Sequence, residues 1–307
     1  MSEWKYWQEK ALDLSKNTGL SWRQIAKEVG KPKSTVSDFL RVRKEDNWDV
    51  SGPKILTYDI ETSPIIAYIW SLYQQGVSLD NVVQDWNILC FAAKWYHEDS
   101  VIYEEVDWKS EKYHDDGRIV DSLWGLFDKA DFLVGQNSRS FDTKKVQARM
   151  ILNGIDTPPS SFREIDILDI AKRKFAFTSR KLAYMSEHIN KLYKKQSHDE
   201  FPGISLWVEC LKGNPRAWEV MREYNEYDIL STEELFTIFQ PWDNKLPNFA
   251  LYHDQVFSNS EWVENGYHYT NLGKYQKYRN TLTGQQRRGR INLLSDEKRK
   301  SILANII

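Results

Sequence analysis

Cysteine is almost missing from this chain. Cys90 and Cys210 are its two, one in an apolar run and one in a helical context. They provide neither a disulfide framework nor a cysteine zinc site, and a reducing cytoplasm is the expected compartment. None of the six histidines is spaced as an H-x-x-x-H pair, so histidine metal sites of that type are excluded as well. Long hydrophobic runs are missing too. No stretch approaches the ~20 apolar residues of a membrane span, and the start, "MSEWKYWQEKALDL", has no uninterrupted apolar core of a secretion signal. A soluble, unexported protein with no membrane partner is expected. There is no internal repeat and no low-complexity segment.

What is present is charge, unevenly placed. Residues 1–50 carry ten basic and eight acidic side chains, residues 51–266 twenty-three and thirty-four, and residues 267–307 nine and two; the segments net +2, −11 and +7. A basic tail beside an acidic body suits a protein whose flanks hold a polyanion while its centre holds cations. A solvated tail with no partner is the other reading. At 307 residues the chain is long enough for one α/β core and one or two small modules.

Residues 1–46 read as a module of three short helices, Trp4–Ser15, Ser21–Gly30 and Lys33–Lys44, with Ser21 as a cap, Gly30 as a stop and Lys31-Pro32 as the turn. That is helix-turn-helix spacing. Ile25, Ala26, Val29, Val36, Phe39 and Leu40 would form its core, leaving Lys33, Ser34, Thr35, Ser37 and Arg41 for a DNA groove. A trihelical packing module with no DNA role is the alternative. "EDNWDVSGP" reads as a linker. Strands follow: "PKILTYDIET", then an aromatic-rich insertion, then "NILCFAAKWY" and "SVIYEEV" as an antiparallel hairpin. A helix over 117–130 leads to the strand "DFLVGQN" and the helix "FDTKKVQARMILNG", with Ser140 as its candidate cap. The remainder to Phe239 is expected to be mostly helical, including "IDILDIAKRKF". The expected class is α/β, a mixed sheet flanked by helices.

Asp59 and Glu61 stand two apart on the first strand and so project from one face. Asp142 opens the helix after "GQNSRSF". Tyr224 and Asp228, four apart, share one helix face, with Ile229, Leu230 and Leu235 as an apolar stripe to press that helix onto a sheet. Adjacent carboxylates repel unless a cation sits between them, and hard divalent cations take oxygen ligands.

Asp-x-Glu on a first strand, "GQNSRSFD" after a later one and Tyr-x-x-x-Asp on a late helix together resemble the DEDD exonucleases, the DnaQ-like group with a ribonuclease H-like fold. The tyrosine subfamily is indicated, because Glu223 stands where the other subfamily needs a histidine. The resemblance extends over about residues 53–240 and is closest to free-standing phage and bacterial relatives of family B DNA polymerase proofreading exonucleases. It implies an exonuclease domain over 53–245, acting 3′ to 5′, with Asp59, Glu61, Asp142 and Asp228 holding two Mg²⁺ or Mn²⁺ ions about 4 Å apart. Tyr224, a phenol with a pKa near ~10, would orient the attacking water. Asn137 is similar to a family position near the substrate. Lys144 and Lys145 read equally well as phosphate contacts and as solvated lysines. Tyr68 and Trp70 in the insertion read first as core residues and otherwise as platforms for a base.

Residues 255–307 resemble a zinc ribbon without its cysteines, since Ser258, Ser260, Asn280 and Gly284 stand in their places; no zinc is expected. Lys274, Lys277, Arg279, Arg287, Arg288 and Arg290 make this basic extension a candidate nucleic-acid grip. The expected substrate is nucleic acid, single-stranded DNA before RNA. The rivals are an RNA exonuclease and a catalytically idle DNA-binding regulator or scaffold. No polymerase palm motif is present, so any role beside replication or repair proteins would be in trans.

Overall fold

The computed structural model describes residues 52–252 except 74, 75, 97, 111–113 and 195–198, residues 261–303, and, nearer the N-terminus, residues 7, 10, 11, 14, 22–32 and 36. The chain forms two compact units, Met1–Pro53 with Pro247–Asn259, and Lys54–Leu246 with Ser260–Ile307. In the first unit α1 spans Trp22–Glu28. Ile25 and Ala26 on α1 are buried with Ala11 and Val36, and Trp7, Leu14 and Val29 pack against them. Phe39, Leu40, Lys33, Ser34, Thr35, Ser37, Arg41 and Ser21 lie outside the described residues.

The second unit is organised around β1, Ile55–Thr62, the middle strand of a five-stranded sheet in the order β5-β4-β1-β6-β7, while β2 (Ile66–Ala67) and β3 (Val82–Gln84) pair as a separate antiparallel ladder. β4 (Ile88–Trp95) runs antiparallel to β1 and β5 (Ile102–Glu105) antiparallel to β4, as the hairpin reading anticipated. β6 (Phe132–Gly135) and β7 (Arg163–Asp166) are parallel to β1. β1 and β4 are near-continuous apolar runs because helices cover both their faces. On one side Leu56, Tyr58 and Ile60 share a core with Ile119, Val120, Leu123 and Phe127 of α2 (Gly117–Lys129) and Val146 and Met150 of α3 (Asp142–Leu152). Tyr58 meets Phe127 edge to face at 4.8 Å, and its hydroxyl lies 2.6 Å from Thr143 Oγ1.

After β7 come α4 (Ile167–Lys174), α5 (Leu182–Ile189), α6 (Ser205–Leu211) and the 25-residue α7 (Pro215–Phe239). Proline supplies the preset φ of α7's first position, and Asn214 Oδ1 caps it by accepting from Arg216 N–H at 3.0 Å. α7 packs across β1, β4 and β6 and against α4, α5 and α6. Its buried stripe runs Ala217, Met221, Asn225, Asp228, Thr232, Leu235, Phe239, a spacing of three and four residues that keeps one face on the sheet. Lys94 of β4 is buried under this helix and pairs with Glu233 at 2.6 Å.

Two expectations are corrected. Ile165 and Asp166 were expected to open a helix, but they end the strand Arg163–Asp166, which pairs with β6. Asp166 is both the last strand residue and the cap of α4, accepting from Leu168 N–H at 2.9 Å. The switch therefore needs no Gly or Pro that would announce it. Ser140 does not cap α3: the preceding position is Phe141, and no side chain caps that end.

At the C-terminal end, β8 (Trp262–Thr270), β9 (Gly273–Asn280) and β10 (Gln286–Arg288) form an antiparallel sheet in the order β10-β9-β8. Asn280, at one expected cysteine position, closes the β9–β10 turn instead. Its Oδ1 accepts from Leu282 and Thr283 N–H, both at 2.9 Å, and Gly284 takes a φ of 72° to complete the turn. Hydrogen bonds thus hold together a turn of the kind a metal would hold in a ribbon.

Candidate active site

β6 pairs with β1 only from Ile55 to Thr57. Beyond it the chain turns away through Gly135, whose Cα lies so close to Ser138 that a Cβ would come within 2.5 Å of that residue's Cβ. Asn137 follows at a φ of 63°, its N–H donating to Asp166 Oδ1 at 2.9 Å. The loop delivers Asp142 to the edge that β6 leaves, where its Oδ1 accepts from Ile60 N–H at 3.3 Å. A carboxylate therefore takes over where the strand ladder stops.

On the other face of β1, Asp59 Oδ2 accepts from Asn225 Nδ2 of α7 at 2.7 Å. Glu61 Oε2 accepts from Trp207 Nε1 of α6 at 3.1 Å. Trp207 also stands edge-on to Tyr224, ring centres 6.3 Å apart. Asp228 lies three residues beyond Asn225 on the same buried stripe and is 5 % exposed. Asp59 and Glu61 on β1 thus reach α7 and α6, Asp142 meets β1 at Ile60, and Tyr224 and Asp228 stand on α7, the helix packed across β1.

The three N–H anchors of these carboxylates, from Ile60, Asn225 and Trp207, are all neutral. They orient the oxygens without cancelling their charge. Asp142 is 4 % exposed and forms no ion pair among the described residues. Burial pushes its carboxyl up to about 7, against the pull of the Ile60 N–H and its own backbone N–H, with Asp166 and Glu164 adding to the rise. Among the described residues, no three Asp, Glu, His or Cys side chains converge as a ready cage for a metal ion. The donor set nevertheless fits a hard divalent cation: oxygen ligands only, aimed by neutral donors, with at least one carboxylate that burial leaves short of positive charge.

Other expected site residues fall elsewhere. Asn137 and Lys144 are exposed, and the Asn137 backbone N–H is spent on Asp166. Lys145 lies over the Trp86 ring at 3.7 Å. Tyr68 and Trp70 are not core residues; they are 77 % and 95 % exposed. Lys274, Lys277, Arg287 and Arg288 stand on the β8–β10 sheet, and Lys33 and Arg41 are outside the described residues. The sequence reading missed Asn225 and Trp207. Asn225 had a signal, a polar residue on the same three-four stripe of α7 as Asp228; Trp207 had none, since its partner Glu61 is distant in the chain.

A mixed five-stranded sheet whose central strand ends among carboxylates supplied by two helices is the arrangement of a ribonuclease H-like α/β domain. The chain matches the RNase H superfamily over residues 83–240, half its length, and belongs to it. That span contains Asp142, Tyr224 and Asp228 and begins after β1 with Asp59 and Glu61. A comparison with curated proteins gives no match. No helix among the described residues is long and apolar enough to cross a membrane.

Proposed function

We propose that this protein is a divalent-metal-dependent 3′ to 5′ exonuclease of the DEDD type, tyrosine subfamily, acting on nucleic acid with single-stranded DNA as the favoured substrate. The observation that carries the reading is that Asp142 is bonded to β1 at Ile60, between Asp59 and Glu61, while those two are held by Asn225 of α7, the helix that carries Tyr224 and Asp228, and by Trp207, which packs on Tyr224. Asp59, Glu61, Asp142 and Asp228 would hold Mg²⁺ or Mn²⁺, which when bound supplies positive charge for the phosphodiester and lowers the pKa of water. Asn225 and Trp207 keep Asp59 and Glu61 aimed. Tyr224, its ring braced by Trp207, offers a phenol to hold the attacking water in line. The DNA preference rests on the helix-turn-helix reading of residues 1–46, and the motifs themselves do not separate the two sugars.

The test is incubation of the purified chain with 5′-labelled single-stranded DNA, duplex DNA and RNA, in Mg²⁺, Mn²⁺ or chelator. A ladder descending from full length, abolished by chelator, is expected. A single internal cut would make the protein an endonuclease, and all three substrates inert in both metals would leave the scaffold reading standing.

The anchors carry their own expectation. Trp207→Phe keeps the ring against Tyr224 but deletes the donor to Glu61, and Asn225→Ala deletes the donor to Asp59. Each should weaken metal affinity or turnover by roughly 10- to 100-fold, read as a higher Mn²⁺ concentration for half-activation and a weaker Mn²⁺ isotherm. Unchanged Mn²⁺ binding in both variants would reduce these bonds to packing.

A further inference from the structure

The C-terminal sheet divides its cations between two faces, and the division assigns them different work. Side chains directly opposite each other on antiparallel strands share a face, and neighbours along a strand alternate. Lys277 lies opposite Arg288, and Arg279 opposite Gln286 and Val263. Lys277, Arg279 and Arg288 therefore project together from one side, beside Tyr275. Lys274 and Arg287 project from the other, where Lys274 lies 3.8 Å over the Tyr267 ring and burial pushes the Arg287 guanidinium below its ordinary range.

The first face is built for anions. Between Gly273 and Arg290 the chain has six cations and no carboxylate. None of Lys277, Arg279 and Arg288 forms an ion pair among the described residues. Glu264, the acid within β8, is opposite Tyr278 and so on the other side, while Glu261 just before β8 is turned toward Asn280 at 3.5 Å. Arg288 is held in place by stacking 4.1 Å above the Tyr275 ring. That ring in turn occupies the space over Gly273, where an added Cβ would come within 2.6 Å of it. A guanidinium braced by an aromatic plane is pre-set to offer its fork of donors to a phosphate. Lys277 and Arg279 are two residues apart on a strand, about 6.6 Å, and Arg288 is beside Lys277 at strand spacing.

We propose that this face, Lys277, Arg279 and Arg288 braced by Tyr275, is a binding site for the sugar-phosphate backbone of a nucleic-acid strand, separate from the carboxylate site. It rests on the nucleic-acid reading given above and refines it: Lys274 and Arg287 support the sheet and do not contact phosphate. The grip carries no sequence information, since it reads charge alone.

The experiment is fluorescence anisotropy of a labelled single-stranded oligonucleotide against salt, in Ca²⁺ and an Asp59→Ala background, so that binding is read without cleavage. Lys277→Gln/Arg279→Gln/Arg288→Gln should weaken binding at least tenfold at low salt. It should also flatten the log-log salt slope by about two units, at about 0.7 per lost single-strand phosphate contact. Lys274→Gln/Arg287→Gln should leave the slope unchanged, and Lys277→Arg/Arg279→Gln/Arg288→Gln, which keeps a cation at the first position, should recover about a third of the lost slope. Equal losses from the two faces, or no loss from the first, would overturn the assignment. So would a change of oligomeric state in the triple variant with the slope unaltered, which would make the face a contact to the acidic body of a second copy. Hydrolysis of a tetranucleotide by the otherwise wild-type chain is assayed separately. If it fails while the slope change holds, the exonuclease reading falls and the grip stands.

Discussion

Asp142→Asn is expected to reduce hydrolysis on the order of 10³-fold or more and, in metal-free buffer at pH 8, to raise the melting temperature. The two effects share one cause. Asp142 is buried, and its carboxyl is pushed up to about 7 from the ordinary 3.8. Its neutral form is therefore favoured in the folded state, and the folded chain binds more protons than the unfolded one between about pH 4 and pH 7. Stability consequently falls as pH rises through that window and stays reduced above it. At about 1.4 kcal/mol per pKa unit the penalty has a ceiling on the order of 4 kcal/mol. Asparagine keeps the oxygen that accepts from Ile60 N–H and removes the charge, so the penalty disappears. At about 2–4 °C per kcal/mol for a unit of this size, a gain of several degrees follows at pH 8, shrinking toward zero near pH 4. Saturating Mn²⁺ reverses the order, because the wild-type site is stabilised by the ion it binds and the variant loses a ligand. Scanning calorimetry at pH 4, 6 and 8, with and without Mn²⁺, measures all of it. Retained turnover in this variant, or in Asp59→Ala or Asp228→Ala, would remove the carboxylates from the chemistry.

Tyr224→Phe separates the hydroxyl from the ring. The ring's edge contact to Trp207 survives the change, so the aim of Glu61 through Trp207 Nε1 survives with it. What is lost is the phenol that would hold the water, and a kcat decrease of roughly 10- to 1000-fold is expected, the usual range for one positioned proton-handling group. KM and Mn²⁺ affinity should barely move. A large rise in KM at unaltered kcat would instead make Tyr224 a substrate-binding residue.

The strands β1, β4 and β5, the helices α2 and α7, and the acidic positions were readable in one dimension because each depends on local regularities. Two-residue alternation puts Asp59 and Glu61 on one face, and a three-four stripe sets the buried side of α7. Membership of the RNase H superfamily agrees with the mixed sheet read from the same pattern. β7 escaped because Asp166 ends the strand and caps α4 at a single position, leaving no punctuation between the two elements. The exposure of Tyr68 and Trp70 escaped because aromatic residues usually mark a core, and only the folded chain shows whether anything covers them.

The sequence by itself determined which side chains can bear negative charge, on what kind of element, and at which face. Tertiary structure alone decided what each one touches. Asp59 is 166 residues from Asn225, and Glu61 is 146 from Trp207, separations across which no local rule operates. It also decided that Asp142 should lose its water, since burial depends on how β1, β6 and α3 close around it. And it sorted the C-terminal cations into two faces, because the pairing register of β8, β9 and β10, which composition does not contain, sets which charges stand side by side.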